Sequence, residues 1–282
     1  MRSPNLVVLA RRVIAGGVTV LALGAPSPAG MTPGPRTGAE SPVLVELFTS
    51  EGCSSCPPAD ELLMELDQAH RIGQAEVIVL SEHVDYWNRL GWVDPYSSSL
   101  FSDRQKRYAP WSGQGGLYTP QMVIDGREEC VGSDRARALQ AIAGAARRPK
   151  ARVTLAFVPG RPPLQAGDPI GVTVRVAGLP AKGLDEVFLA VTESRLDSRV
   201  LRGENAGRRL QHTSVVRKLT ALGVVAPGIG DFAAAPEVAI ASGWNRDNLR
   251  VIVFVQDRRS GWILGAASLA LAPVPKPAAV SP

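Results

Sequence analysis

Cysteine is scarce: the 282-residue chain has three, at positions 53, 56 and 130. Three thiols cannot frame a disulfide-stapled mini-protein, so a hydrophobic core has to hold the fold, and the odd count leaves one thiol over. Aromatic residues make up only 5% of the chain, too few for the stacking platforms that bind single-stranded nucleic acid. An excess of one charge is also lacking. The formal net charge is +5, but residues 1–29 contain Arg2, Arg11 and Arg12 and no acid. Without them 28 basic residues face 26 acidic ones, a net +2. A chain so nearly neutral gives no reason to expect a nucleic-acid or membrane-surface partner. The longest apolar run, residues 13–23, is too short for a membrane span. There is no Met-rich or His-rich tract.

What is present is ordinary core material. Hydrophobic residues are 45% and charged residues 20% of the chain, which at this length predicts two compact domains. The basic Arg11-Arg12 pair, the apolar run after it and Ser27-Pro28-Ala29 together read as a secretory signal peptide over residues 1–29, exported by the general or the twin-arginine route. An uncleaved anchor is the alternative. Export predicts a periplasmic or secreted protein with no span in the mature chain, in a compartment where two close thiols persist as a disulfide.

Residues 30–41 are Gly/Pro/Thr-rich and read as a flexible leader, and residues 273–282 as a disordered Pro/Ala tail. Between them two patterns follow one another. Residues 42–149 alternate strand and helix. There are apolar strands at 43–48 and 76–80, a helix from Pro57 with Ala59, Leu62, Leu63 and Leu66 on one face, and a helix near 98–108. A hairpin around Asp125-Gly126 and a helix capped by Ser133 complete this half. This is an α/β domain with a central mixed sheet flanked by helices. Residues 150–272 show strands at 152–158, 170–176, 187–192, 249–255 and 262–271 between Gly/Pro turns, with one helical stretch at 214–222. That predicts an all-β sandwich beginning near Pro149-Lys150.

The chemistry concentrates at Cys53-Ser54-Ser55-Cys56, where the first strand gives way to a helix. Two thiols at this spacing on a turn reach disulfide geometry, and amides at a helix start favour a thiolate. Cys53, which comes first, is expected to be the exposed, attacking thiol, with Cys56 resolving the mixed disulfide. Pro57 and Pro58 withhold amide donors, placing the start of regular helix near Cys56. Glu51, Asp60 and Glu61 oppose a strongly acidic thiolate, which predicts a reductase- or isomerase-like poise. His83 and Asp85 follow the second strand and should reach the same sheet edge. His83 there moves protons, joins the thiols around a metal or holds its loop. Tyr86, Trp87 and Trp92 line a peptide groove or pack as a loop core. Cys130 reads as a small buried residue, and His212 and the RGENAGRR segment as a loop without chemistry.

Strand, CxxC, helix and a later Thr119-Pro120 opening a hairpin resemble the thioredoxin superfamily. The strings ELFTSEGCSSCPPAD, HVDYWNRLGWVDP, YTPQMVIDG, VGSDR and GENAGR resemble more narrowly an exported bacterial thioredoxin-like family, domain of unknown function 1223. The resemblance covers nearly all the mature chain and implies a thioredoxin-like domain plus a β-sandwich. It also implies a cis Pro120 beside the cysteines, with Thr119 and Pro120 presenting backbone to a bound peptide, and Glu46 as proton acceptor for Cys56. A solvent-facing Glu46 on an edge strand is the alternative. The expected activity is thiol–disulfide exchange on protein thiols or disulfides of the cell envelope, with the Cys53–Cys56 disulfide as the only redox group and no cofactor. Two rivals stand beside it. One is a Cu(I) chaperone using Cys53, Cys56 and His83, whose ligand softness suits that ion. The other is a non-enzymatic binding protein in which the disulfide only staples a turn.

Overall fold

A computed structural model describes residues 41–111, 116–158 and 168–271. The expected signal peptide, the leader up to residue 40 and the tail lie outside them. The first half contains strands β1 (Ser41–Thr49), β2 (Arg71–Ile72), β3 (Ala75–His83), β4 (Gln121–Ile124) and β5 (Glu128–Val131), with helices α1 (Pro57–Ala69), α2 (Ser99–Tyr108) and α3 (Arg135–Ala146). The second half contains β6 (Arg152–Phe157), β7 (Ile170–Ala177), β8 (Asp185–Glu193), β9 (Leu196–Arg199), β10 (Arg209–His212), β11 (Val215–Val225), β12 (Asp231–Ala234), β13 (Glu237–Val238), β14 (Leu249–Asp257) and β15 (Ile263–Ala270).

One sheet runs through both halves in the order β15-β14-β8-β11-β3-β1-β4-β5, with β2 on β3. β1 and β3 are parallel, and β4 and β5 add an antiparallel hairpin beside β1. The sheet continues across Pro149-Lys150, because β11 lies against β3 through Val215 and Ser81. All described residues fall in one compact unit, residues 38–282. A smaller sheet of β12, β7 and β13, with β6 on β7, covers part of the large one.

The pleat sorts β1 into two faces. Val43, Val45 and Leu47 pack with Ala59, Leu62, Leu63 and Leu66 of α1 and Ala138 and Ile142 of α3. Leu44 joins Leu80, Phe101 of α2, Phe188 and Phe254 on the opposite face. On α1's side, Val172, Val174 and Val176 of β7 meet Val187, Leu189 and Val191 of β8 and the odd positions of β14. A leucine buried this way contributes about 1.5–3 kcal/mol. Ser98 caps α2, its side chain accepting from the Leu100 amide at 3.2 Å.

Two expectations are corrected. Residues 214–222 are not helical; Ser214 is a bend and 215–222 belong to β11, paired antiparallel with β8. The α3 cap is Asp134, which accepts from the Arg137 amide at 3.0 Å, not Ser133.

Candidate functional site

Cys53 and Cys56 are joined as a disulfide, with Cα atoms 5.4 Å apart, and Cys130 is free and buried. The pair closes the turn between β1 and α1. Cys56 is the residue before the first helical position, and Pro57 and Pro58 follow it. The two prolines supply no N–H, while the Ala59 and Asp60 amides both donate to the Cys56 carbonyl. The helix start therefore offers few amides to a thiolate.

The Thr119-Pro120 bond is cis. Its position beside the cysteines is fixed from two sides. Ser55 Oγ lies 3.3 Å from Cys53 Sγ and donates to the Thr119 carbonyl at 3.5 Å. Trp87 Nε1 donates to Thr119 Oγ1 at 2.8 Å. Trp87 also covers the turn itself, since a Cβ on Gly52 would stand 3.1 Å from its Cβ. A Cβ on Gly132 would come within 3.0 Å of Leu47, Ala59 and Pro120 side-chain atoms. Glycine there lets the end of the hairpin draw Pro120 against α1.

The sulfurs are not open to solvent. Cys53 and Cys56 are both 0% exposed, although Ser54 and Ser55 between them are exposed. The expectation of an exposed Cys53 is thus corrected, and the cause comes from the second half of the chain. The loop between β9 and β10 folds over the turn. Asn205, 1% exposed, donates from Nδ2 to the Glu51 carbonyl at 2.8 Å and the Cys53 carbonyl at 2.9 Å. Glu204 accepts from the Ser54 amide at 3.0 Å, and the Ser54 side chain and amide together hold its carboxyl below the ordinary range. Arg208 steadies the arrangement by donating to Asn205 Oδ1 at 2.9 Å. Gly203 and Gly207 bracket the loop with φ of 75° and 84°, a region glycine enters without strain.

Beneath the turn lies a buried polar cluster. Glu51 accepts from Trp92 Nε1 at 2.7 Å and meets His212 Nε2 at 3.1 Å. Asp94 accepts from the Glu51 amide at 2.9 Å and pairs with His83 Nδ1 at 2.7 Å. The His83 and His212 rings stand edge to face, centroids 4.8 Å apart. Burial pushes the Asp94 carboxyl up, but His83 and the Glu51 and Tyr96 amides prevail and hold it below the usual range. Burial dominates at Asp60, raising it to about 7 against the pull of His212, with Asp94 and Glu51 adding to the rise.

Glu46 does not serve Cys56. It lies on the α2 face of β1, where Arg104 reaches Oε1 at 2.5 Å and Tyr108 donates to Oε2 at 2.6 Å. It is 0% exposed, so the solvent-facing alternative is excluded as well. Pleating dictates this outcome: Leu47 points at α1, so its neighbour points away. His83 holds its loop through Asp94. Asp85 is taken up by Ser102 Oγ, which donates to Oδ1 at 2.5 Å, and Tyr86 donates to Gln105 Oε1 at 3.1 Å. Neither joins the cysteines; Trp87 does. Burial raises Cys130 to about 11, which keeps it a thiol. Among the described residues no three His, Cys, Asp or Glu side chains are grouped to hold a metal ion, and no helix is long and apolar enough to cross a membrane.

Asn205, Glu204 and His212 are the residues that sequence reasoning left without a role. The available signal was the polar pair Glu204-Asn205 set between two glycines in the GENAGR string.

The fold is shared with solved structures. Protein AGR_C_4864 from Agrobacterium tumefaciens is 27% identical with a TM-score of 0.62, and the match covers 83% of this chain and 96% of that one. HBP35 of Porphyromonas gingivalis is 17% identical with a TM-score of 0.58, covering 86% and 79%. No curated protein matches. Residues 44–256, from within β1 to the next-to-last residue of β14, match one family throughout, and the chain belongs to it: the family described as Protein of unknown function (DUF1223).

Proposed function

We propose that the chain is an exported thiol–disulfide oxidoreductase of thioredoxin-like build, seen with its redox pair closed under the Glu204–Asn205 loop. The observation that carries this reading is the meeting of the CxxC turn with the Thr119-Pro120 backbone. Ser55 touches both Cys53 Sγ and the Thr119 carbonyl, so a peptide laid along residues 119–120 would pass over Cys53. A substrate thiolate attacks Cys53 Sγ, and the electron pair of the disulfide leaves on Cys56. The scarcity of helix-start amides and the nearby carboxylates disfavour thiolates, which makes a reduced pair a strong donor of electrons and supports a reductase- or isomerase-like poise. The disulfide itself carries the electrons, and protein thiols or disulfides of the cell envelope are the partners.

Insulin reduction driven by dithiothreitol tests the reading. The full mature chain should catalyse it, Asn205→Ala should catalyse it faster, and Cys53→Ser should abolish it. No catalysis by either Cys53-containing protein would overturn the proposal.

The 0% exposure of both cysteines favours a second reading, in which the disulfide only staples the β1–α1 turn and the chain is a binding protein. A pair that dithiothreitol reduces only after global unfolding would support that reading.

A further inference from the structure

Breaking the Cys53–Cys56 bond by thiol attack creates a thiolate on Cys56 in a place with no access to water, and an unpaired buried anion is costly. A proton has to arrive from the protein. Of the buried acids on β1 and around the turn, Glu46 faces α2 and Arg104. Glu51 is bound by Trp92 and His212. Asp94 is bound by His83 and two backbone amides. Asp60 differs from all three. It stands one helical turn after Cys56, its amide donating to the Cys56 carbonyl at 3.1 Å, so the two side chains share a helix face. It is 6% exposed, and its Oδ1 has no hydrogen-bond partner.

Asp60 also has a way out. A cavity of about 420 Å³ opens between α1 and β10, lined by Asp60 together with Pro57, Glu61, Arg208, Arg209 and Gln211. We propose that Asp60 is the proton donor and acceptor for Cys56, exchanging its proton with solvent through this cavity. The assignment rests on the oxidoreductase reading and deepens it.

The groups facing Asp60 are Thr49 at the end of β1, Glu51 in the turn after it, Asp94 in the loop before α2, and His212 at the end of β10. Glu61, Arg208 and Arg209 share its cavity. Burial raises its carboxyl to about 7, so it holds a proton in slightly acid solution and gives it up in slightly alkaline solution. The reaction balances with a dithiol as reductant. One thiolate of the dithiol attacks Cys53 Sγ, a sulfur–sulfur bond to the dithiol forms, and the Cys53–Cys56 bond breaks. Its electron pair goes to Cys56, which takes the Asp60 proton. The second thiol, its proton lost to solvent, attacks the dithiol sulfur and expels Cys53 as a thiolate. The dithiol leaves as a disulfide, two electrons stay on the protein, and Asp60 regains a proton through the cavity.

Stopped-flow reduction of the full mature chain by dithiothreitol between pH 5.5 and 9, with rates expressed per dithiothreitol thiolate, tests this assignment. Wild type should slow by at least about tenfold as pH rises through roughly 7. Asp60→Asn and Asp60→Ser should be slow throughout and show no inflection, while Glu46→Gln keeps the wild-type profile. A wild-type inflection that survives in both Asp60 variants overturns the assignment and leaves the oxidoreductase reading standing. A native disulfide that dithiothreitol does not reduce in wild type or in Asn205→Ala overturns both.

Discussion

Asn205 holds Cys53 from 152 residues away in sequence: its amide nitrogen donates to the Cys53 carbonyl at 2.9 Å and to the Glu51 carbonyl at 2.8 Å. One side chain thereby uses both of its N–H donors to fasten the β9–β10 loop over the disulfide. It also leaves those carbonyls without a partner whenever the loop lifts.

Loosening this fastening should expose the pair. Asn205→Ala removes two buried hydrogen bonds, together about 1–3 kcal/mol. Much of that is lost from the closed state, so the open population should rise by about ten- to a hundredfold. Alkylation of the reduced cysteines, followed over time at fixed dithiothreitol, should show the matching acceleration. An unchanged rate would mean that Asn205 does not limit access.

The Glu46 network gives a stability prediction separable from chemistry. Arg104 is 1% exposed and pairs with Glu46 and Glu82, and Tyr108 and Gln256 bond within the same cluster. Arg104→Met leaves Glu46 buried without its partner and should cost about 3–5 kcal/mol. Chemical denaturation measures it, and the Arg104→Met/Glu46→Leu pair should recover much of the loss.

Glu82 sets a pH dependence. Burial raises its carboxyl to about 8, against the pull of Arg104 and with Glu46 adding to the rise. A raised carboxyl contributes stability that is fully present below its unfolded value of 4.5 and fades as pH climbs toward 8. The contribution to the slope is at most about 1.4 kcal/mol per pH unit in that window. Glu82→Gln should therefore flatten the decline of the thermal midpoint between pH 5 and pH 8. An identical decline in the variant would show that other groups cause it.

Trp87 should matter to exchange more than to folding. Trp87→Phe keeps most of the packing but loses the 2.8 Å bond to Thr119 Oγ1. That loss is worth about 1 kcal/mol, so insulin reduction should fall severalfold while the unfolding midpoint moves little.

The β1–CxxC–α1 unit and the Gln121–Val131 hairpin were legible because each carries a local signal: apolar runs, a helical period, a turn dipeptide. Thr119-Pro120 was legible through the resemblance to the thioredoxin superfamily. Glu46 was misread for a physical reason. Both faces of β1 are covered, so its sequence shows no alternation and cannot tell which side a carboxylate takes. β11 misled differently. Its register shifts between Val216 and Lys218 and again between Ala221 and Gly223. Each irregularity breaks the two-residue period and leaves Val215, Val216, Leu219 and Leu222 at spacings that mimic a helix face. The contacts of Asn205 join segments about 150 residues apart, a pairing no local pattern encodes.

The reduction potential of Cys53–Cys56 in the folded chain, read from alkylation after equilibration in dithiothreitol buffers, bears most directly on the whole account. A pair that exchanges electrons for a living should equilibrate without unfolding and sit in the range of about −300 to −180 mV, where reductases and isomerases work. A value well below about −300 mV, reached only alongside loss of the fold, would mark the bond as a staple and contradict the account.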